Sequence, residues 1–328
     1  MTTVSNDASQ EADPAPEIAP EIAPLAPPRP KKRDVHGWLI LDKPVGETST
    51  RAVAIVKRAF HAKKAGHAGT LDPLASGILP IAMGEATKTV PFVMDGRKSY
   101  RFTVTWGAET TTDDTEGEMV QTSTERPTRS QVEAILPRFT GAIMQVPPKY
   151  SAIKIAGERA YDLARDGEEV TLQPRPVEID ALALVGHESG SSIFEAECGK
   201  GTYVRALARD FGRLLGCFGH VTALRRTRVG PFTEGDAVPL AGLGEARQQG
   251  TDLMTFVTPV DEALSDIPAV SVSRNDAGRL ARGQSCLLRG ADAPMTAEAV
   301  AVFSGGALIA IGEVAQGELH PRRIFHLS

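Results

Sequence analysis

Residues 67–77 read His-Ala-Gly-Thr-Leu-Asp-Pro-Leu-Ala-Ser-Gly, and they predict a rigid loop that holds one carboxylate in place. Proline fixes its own φ angle and disfavours the α-helical region for the preceding residue, so a helix cannot continue through Asp72. Gly69 and Gly77 allow backbone shapes and close approaches that larger residues resist. The short apolar run at 78–83 then predicts a buried strand. We therefore expect Asp72 on a turn at the edge of a core.

An Asp-Pro pair alone is ordinary turn chemistry, so any case for catalysis must rest on the whole string. Residues 69–77 resemble the Gly-Thr-Leu-Asp-Pro-x-Ala-x-Gly signature of the TruB-type pseudouridine synthases. In that family the aspartate, here Asp72, is the essential catalytic residue. The resemblance covers roughly residues 36–232 and continues more loosely beyond them. It implies a mixed α/β pseudouridine synthase fold around a largely antiparallel central sheet.

Length, charge and cysteine content set broad limits. A chain of 328 residues can form one large domain and a smaller one. The net charge of −5 argues against a protein that coats nucleic acid over its whole surface, but permits a local basic cleft. No apolar run predicts a membrane span or a signal peptide. Three widely separated cysteines argue against a disulfide framework and a structural zinc site, and favour a cytoplasmic protein.

The sequence predicts three parts. Residues 1–34 are rich in Ala, Pro and Glu, a composition that buries little surface and predicts a disordered tail. Residues 35–255 are assigned to the catalytic domain, and the resemblance implies an RNA-gripping insertion within it at about 147–175. Residues 256–328 contain short alternating strands broken by glycines. They are similar to the family's PUA-like RNA-binding accessory domain, with a plain folded cap as the alternative.

A strand at 38–41 and a following helix are predicted at the start of the catalytic domain. Thr48 or Ser49 can cap this helix. The helix ends in a cluster of basic side chains, namely Lys57, Arg58, His61, Lys63, Lys64 and His67. A helix C-terminus favours cations, and a cluster that runs into the Asp72 loop also suits phosphate contact, so both interpretations stay open. Upstream, Lys31-Lys32-Arg33 is interpreted as a solvated charge run, with phosphate contact as the alternative.

Tyr100 stands directly before an alternating stretch at 101–106 that predicts a strand. A tyrosine in a strand usually packs against its neighbours. The flanking cations Arg97, Lys98 and Arg101 also suit an aromatic ring that stacks on a base between phosphate-binding groups. The resemblance implies the second role, in which Tyr100 packs on the target base and is a candidate for moving its proton.

A helix is predicted after Tyr203, and Arg205, Arg209 and Arg213 follow one side of it beside an apolar face. Such a stripe usually forms a solvated face. Arg205 nevertheless stands at the helix N-terminus, where the dipole disfavours a cation, so a carboxylate or phosphate partner is expected. The resemblance supplies one, because in the family this arginine pairs with the catalytic aspartate, here Asp72. It also gives Tyr203 a contact with the target nucleotide.

Further candidate substrate-binding residues follow from the resemblance. Leu224 would line the uracil pocket. Lys43 belongs to the opening stretch at 42–49 that the resemblance includes, and Lys88 ends the stretch at 85–88 that closes the first motif. His67 could support the flipped-out nucleotide, and a packed or solvent-facing histidine is the alternative. The polar segment 110–125 predicts a loop or hairpin without assigned chemistry.

The predicted reaction converts uridine to pseudouridine at position 55 in the T-loop of tRNA. The target base is stacked, so it must be flipped into a pocket first. One ionised carboxylate then suffices, which predicts no metal and no organic cofactor. The predicted form is a monomer with tRNA, through its T-arm, as its partner and without an obligatory protein partner. A guide-RNA-dependent synthase subunit and a non-catalytic tRNA-binding or folding protein are the alternatives; a glycoside hydrolase fits poorly because no second carboxylate accompanies Asp72.

Overall fold

The computed structural model describes residues 2, 31–151, 154–155, 158–159, 172–290 and 293–327. The chain forms two units, Met1–Lys31 and Lys32–Ser328, and every element described below belongs to the second. The predicted disordered tail lies almost entirely outside the described residues, as does most of the predicted insertion at 147–175. The helices are α1 (Ser49–Ala59), α2 (Val90–Asp95), α3 (Arg129–Ile135), α4 (Val204–Leu215), α5 (Leu240–Gln248) and α6 (Arg274–Leu280).

Strands make up the larger share of the elements. Those before residue 160 are β1 (Gly37–Lys43), β2 (Ala65–His67), β3 (Ala75–Met83), β4 (Lys98–Trp106), β5 (Ala108–Thr110), β6 (Met119–Thr122), β7 (Gly141–Gln145), β8 (Lys154–Ile155) and β9 (Glu158–Arg159). Those after it are β10 (Arg175–Glu188), β11 (Ser191–Cys198), β12 (Gly219–Val229), β13 (Phe232–Thr233), β14 (Val238–Pro239), β15 (Ala269–Ser271), β16 (Cys286–Leu287), β17 (Thr296–Ser304), β18 (Ala307–Ala315) and β19 (Glu318–Ile324).

A ten-stranded sheet forms the centre of the molecule. Its strand order is β14-β1-β3-β12-β4-β11-β10-β7, with β13 paired to β12 and β2 paired to β3. Of the pairings between these described strands, β1–β14 and β12–β3 are parallel and the others are antiparallel. The predicted mixed α/β fold with a largely antiparallel sheet is confirmed. The parallel β12–β3 pairing brings two distant parts of the sequence side by side, the end of the Asp72 motif at 75–77 and the Leu-Arg-Arg stretch at 224–226.

Strand β1 is buried on both faces. Leu39 and Leu41 pack into one core cluster with helix α1, whereas Trp38 and Ile40 belong to a second cluster on the opposite face. Side chains alternate between the two faces of a strand, which is why a nearly continuous apolar sequence is needed here. Trp38 stacks at a tilt on Phe232, with 5.4 Å between ring centroids. The sheet is therefore covered on both sides at this strand.

The predicted strands of the C-terminal segment are present as β17 and β18. They belong to a five-stranded sheet of order β15-β17-β18-β19-β16, which has its own apolar cluster around Leu280, Val302 and Leu319. Ala301, Leu308 and Phe325 reach across into the cluster that contains Trp38 and Ile40. The β-rich C-terminal sheet thus packs directly on the face of the larger sheet. Among the helices that the structure describes, none has the length and hydrophobicity needed to cross a lipid bilayer.

Candidate active site

The Asp72 loop connects β2 to β3 and is held by backbone contacts from neighbouring elements. Ser49 Oγ accepts a hydrogen bond from Leu71 N at 2.9 Å and donates one to Leu71 O at 2.8 Å. Gly46 N donates to Pro73 O at 2.7 Å, and Ala75 N donates to Asp72 O at 3.1 Å. Because these bonds are made on both sides of Asp72, the position of its backbone does not depend on its own side chain. Of the two residues predicted as caps of helix α1, Thr48 is the one that caps it, whereas the Ser49 hydroxyl bonds to the backbone of Leu71.

Two glycines let the loop reach this position. Gly69 and Gly77 have φ angles of +95° and +101°, a region that L side chains rarely occupy. A Cβ atom on Gly77 would lie 2.2 Å from the carbonyl oxygen of Arg226 on the adjacent strand β12. Gly77 therefore permits the close approach of β3 to β12, as the sequence predicted.

The structure brings Arg205 and Asp72 together. Arg205 Nη2 lies 2.9 Å from Asp72 Oδ2. The Arg205 side chain is 7% exposed and the Asp72 side chain 35% exposed, so the arginine is fixed inside the protein while the carboxylate faces an open side. A contact of this kind between opposite charges restricts the orientation of the carboxylate. Asp72 is thus available to an external molecule in a defined position.

Arg205 is held from behind by three further groups. Its Nη1 donates to Thr112 O at 3.0 Å and lies 3.4 Å from Asp114 Oδ2, and its Nη2 donates to Tyr150 O at 2.9 Å. Asp114 is buried, with a side chain only 2% exposed. The guanidinium therefore joins two carboxylates, one buried and one open, and its own orientation is determined by the buried one.

The other two arginines of the helix continue the same pattern. Arg209 Nη1 lies 3.1 Å from Asp113 Oδ2, and Arg213 donates to both carboxylate oxygens of Glu109 at 2.6 and 2.8 Å. Arg209 Nη2 also donates to Val146 O at 2.7 Å. The side chain of Arg209 is 8% exposed, so the interpretation of the stripe as a solvated face is wrong for this residue as it is for Arg205.

Three acidic partners, Glu109, Asp113 and Asp114, come from the hairpin of β5 and β6, and the two aspartates lie in the polar segment to which the sequence assigned no chemistry. Asp114 forms an isolated parallel bridge with Val221 of β12, and Asp113 O accepts a hydrogen bond from Val221 N at 3.0 Å. Burial raises the pKa of Asp113 to about 6, and the neighbouring Arg209 only partly offsets this. Sequence reasoning missed these acids because nothing in their local sequence reveals which arginines they will face.

Arg226 is a second group that the sequence did not identify. It is 2% exposed, and it donates from Nε to Ile78 O at 2.8 Å and from its two terminal nitrogens to Thr70 O and Gly69 O, each at 3.2 Å. One guanidinium thus fastens both ends of the loop that contains Asp72. Within the Leu-Arg-Arg stretch, the resemblance gave a role only to Leu224. The signal that could have identified Arg226 is the arginine itself, because its planar guanidinium can donate to several acceptors at once.

Tyr100 and Tyr203 border the same space. Tyr100 on β4 lies opposite Arg226 on β12. Burial raises the pKa of the Tyr100 hydroxyl, while Arg226 acts in the opposite direction and the charge of Asp72 adds to the increase. Burial also raises the pKa of Tyr203, and Asp72 contributes to that shift as well. The charge of Asp72 therefore acts on both tyrosine hydroxyls. Both hydroxyls keep their protons at neutral pH.

Tyr203 has a fixed backbone. It is the residue that precedes helix α4, and its N–H donates to Gln145 Oε1 at 2.8 Å while its carbonyl accepts from Gln145 Nε2 at 3.2 Å. Leu224 is 8% exposed and lies opposite Ala75, the first residue of β3. These contacts place Tyr203 and Leu224 on elements that meet at the Asp72 loop.

His67 lies on β2, where its Cα pairs with Ile81 of β3. Burial lowers the pKa of its imidazole, and Arg226 lowers it further, so the ring is neutral at physiological pH. Its Nδ1 is buried and makes no hydrogen bond within the described part of the chain. Five residues before Asp72, the structure therefore holds a buried polar ring atom without a hydrogen-bond partner among the described residues.

The ammonium groups of Lys43 and Lys88, both predicted to bind substrate, are already engaged within the protein. Lys43 is fully buried, and its Nζ donates to Pro44 O and Glu47 O at 2.8 Å each and to Pro73 O at 3.4 Å. Burial lowers the pKa of Lys43 to about 8. Lys88 Nζ donates to Glu85 Oε2 and to Ile324 O, each at 2.7 Å. In this geometry Lys43 supports the Asp72 loop and Lys88 ties strand β19 to the larger sheet.

Two kinds of comparison with known proteins give the same result. Residues 57–204 match the family model described as TruB family pseudouridylate synthase (N terminal domain), and residues 205–265 match the tRNA pseudouridylate synthase B C-terminal domain. The tRNA pseudouridine synthase B of Rhodopseudomonas palustris is 65% identical over 306 residues, which cover 92% of this chain and 84% of that protein. This chain belongs to the TruB family of pseudouridylate synthases.

Other members of the TruB family show the same extent of similarity. The tRNA pseudouridine synthase B of Rhizobium meliloti is 56% identical over 305 residues, covering 91% of this chain and 98% of the relative. Among solved structures, a Cbf5-Nop10-Gar1 complex contains a chain with a TM-score of 0.68 and 23% identity, covering 89% of this chain and 85% of that one. The structural likeness shows a shared fold, which the TruB family membership of this chain supports independently.

Proposed function

We propose that this protein converts uridine to pseudouridine at position 55 in the T-loop of tRNA, without a guide RNA. The observation that carries this proposal is the half-open Asp72 carboxylate held by Arg205 in a site bordered by Tyr100, Tyr203 and Leu224. It is supported by membership of the TruB family and by relatives named tRNA pseudouridine synthase B that match over nearly the whole chain. A tRNA substrate also places the enzyme in the cytoplasm.

The reaction is an isomerisation. The bond between ribose C1′ and uracil N1 breaks, the base rotates, and a bond forms between C1′ and C5. The proton on C5 is lost and N1 gains one, so there is no net oxidation or reduction and no external group is consumed. The chemistry therefore requires one carboxylate and a path for the C5 proton, and no redox cofactor.

Asp72 is the residue that acts on the flipped nucleotide. An ionised carboxylate can attack the ribose or the base covalently, or remove a ribose proton, and each route needs Asp72 charged and held in place. Arg205 holds the carboxylate in place, because its guanidinium lies 2.9 Å from Asp72 Oδ2 and is itself anchored by the buried Asp114. Tyr100, which stays protonated at neutral pH, is placed to pack on the base and to take part in moving the C5 proton.

The surrounding residues would hold the extruded nucleotide. Unstacking a T-loop base costs free energy, and the apolar Leu224 and the rings of Tyr100 and Tyr203 offer a surface on which the uracil can pack. His67, five residues before Asp72, would support the flipped-out nucleotide from the loop side of the site. We assign accessory RNA binding to the C-terminal sheet of β15–β19 and RNA gripping to the insertion at 147–175.

The test is pseudouridine mapping on an unmodified tRNA transcript, with no guide RNA, treated with the wild-type protein and with Asp72→Asn. Modification of the T-loop uridine by the wild type alone supports a stand-alone synthase that depends on Asp72. Modification only after addition of a guide RNA would favour the guide-dependent alternative. Tight tRNA binding by both proteins without any modification would identify a binding or folding protein instead.

A further inference from the structure

A group of exposed cations lies at one end of helix α1, outside the site described above. The chain turns back after the helix, because His61 N donates to Arg58 O at 3.2 Å and Ala62 N donates to Lys57 O at 3.0 Å. His61 completes the turn with a left-handed φ of 53°. The turn thereby gathers Lys57, Arg58, Lys63 and Lys64 into one short folded segment.

A second basic segment is joined to this turn from far away in the sequence. Arg33 N donates to His61 O at 2.8 Å, Lys63 N donates to Arg33 O at 3.1 Å, and the backbone of Arg33 forms a parallel bridge with Ala62. Lys32 and Arg33, which the sequence interpreted as a solvated charge run, therefore lie beside the cations of the turn. Charges from two sequence segments are combined on one face.

Most of these cations have no acidic partner. Lys63 pairs with Asp34 at 2.6 Å, and both side chains are more than half exposed. Lys32, Arg33, Arg58 and Lys64 are exposed and Lys57 is half-buried, and within the described residues none of these five makes an ion pair or a side-chain hydrogen bond. Like charges placed together repel one another, so the arrangement favours a polyanionic partner that neutralises them.

We propose that Lys32, Arg33, Lys57, Arg58 and Lys64 form a phosphate-binding surface for the sugar–phosphate backbone of the same RNA whose uridine enters the site. This inference rests on the proposed function. Lys64 directly precedes β2, and the three residues of β2 span about 10 Å before the chain reaches His67 and the Asp72 loop. A backbone bound at the surface would therefore continue into the site within a few nucleotides, and the phosphate contacts would orient the RNA without reading its sequence.

The experiment compares Arg33→Gln, Arg58→Gln and the double variant with the wild type, using an unmodified tRNA transcript. Arg138→Gln is the matched control, because Arg138 is also exposed but lies next to β7 at the opposite edge of the sheet. We expect the double variant to bind the transcript about ten-fold more weakly at physiological salt, and each single variant to reduce the salt slope of log K by about one. The rate of a single turnover at saturating RNA should stay unchanged, because these side chains lie outside the pocket.

Two outcomes would overturn the proposal. In one, all variants bind the transcript with wild-type affinity and salt slope. This result would show that the surface does not bind the RNA, so that its partner would be an acidic protein or it would have none. In the other, the variants lose thermal stability but not RNA affinity. This result would mean that the cations stabilise helix α1 by interacting with the negative end of its dipole. Both results are independent of catalysis: a wild-type protein that binds tRNA at this surface without forming pseudouridine would contradict the proposed function and not the surface.

Discussion

Arg205 Nη2 lies 2.9 Å from Asp72 Oδ2, and the arginine is the more deeply buried member of the pair. A surface ion pair between two mobile side chains would contribute little. Here the guanidinium is fixed by Asp114, Thr112 O and Tyr150 O, so the direction in which it presents its N–H groups is decided before any substrate arrives. The open carboxylate is preorganised by a group that is itself buried in the protein.

Asp114→Asn should slow catalysis without preventing RNA binding. The amide has the same shape and can still accept from Glu116 N, but it removes the charge that anchors Arg205. We expect a single-turnover rate about 10²-fold lower, with tRNA affinity within about three-fold of the wild type. Glu133→Gln, which breaks the exposed pair with Arg129 at 2.7 Å, is the control and should leave both quantities unchanged. A wild-type rate for Asp114→Asn would show that Arg205 does not need this anchor.

Arg226→Lys should weaken the enzyme more than Arg225→Lys, although the two residues are neighbours. Lysine cannot reproduce the planar fork with which Arg226 donates to Gly69 O, Thr70 O and Ile78 O, so at least one buried carbonyl would lose its partner. We expect a loss of about 2 kcal/mol in the free energy of unfolding and a clear drop in the turnover rate. Arg225 is 35% exposed and pairs with Asp42 and Glu234, so its replacement should cost under about 1 kcal/mol. Equal effects in urea unfolding and turnover would contradict a specific role for Arg226.

Lys43→Met should destabilise the protein because it leaves three carbonyl groups without their donor. Those carbonyls belong to Pro44, Glu47 and Pro73, the last of which follows Asp72 directly. The expected loss is about 2–4 kcal/mol in the free energy of unfolding, measured by urea denaturation. Lys200→Met removes an exposed lysine paired with Asp95 and should change stability by less than about 0.5 kcal/mol. If both variants unfold like the wild type, Lys43 would be free to serve a substrate as the sequence predicted.

The free energy of unfolding should increase as the pH falls below about 6, because Asp113 takes up a proton in the folded protein. Burial raises the pKa of this carboxyl from 3.8 to about 6, so between these values the folded chain holds a proton that the unfolded chain has lost. Protonation therefore stabilises the fold as the pH falls through this window, and the gain is absent above about pH 6. Asp113→Asn, which is neutral at every pH, lacks this dependence, so the stability of the variant relative to that of the wild type should rise by about 1–3 kcal/mol between pH 4 and pH 8. A difference that stays constant from pH 4 to pH 8 in denaturant unfolding would be inconsistent with this ionisation.

Local sequence was enough to predict several elements. Pro73 with two glycines predicted the turn at Asp72, apolar residues predicted β1 and β3, and helical spacing after Thr48 predicted α1. These features depend on residues close together in the chain, which is why pattern reasoning identified them. The resemblance to the TruB family added the pairing of Arg205 with Asp72 and the tyrosines around it.

The partners of the arginine stripe depended on tertiary structure. Arg209 and Asp113 are 96 positions apart in the sequence and meet only because the hairpin of β5 and β6 is attached to β12. The same applies to Arg226, whose fork reaches three carbonyls on another part of the chain, and to Arg33, which lies beside the turn at His61. The resemblance predicted that Lys43 contacts substrate, and only the tertiary structure shows the three carbonyls that its ammonium group meets.

The sequence by itself therefore determined where the carboxylate lies on the chain, the rigid backbone around it and the identity of the family. The tertiary structure decided which charges are buried together, which arginine anchors which acid, and which lysines are left for a partner. The physical reason is that turn and strand preferences act between near neighbours, whereas burial and ion pairing depend on contacts that exist only once the sheet has formed.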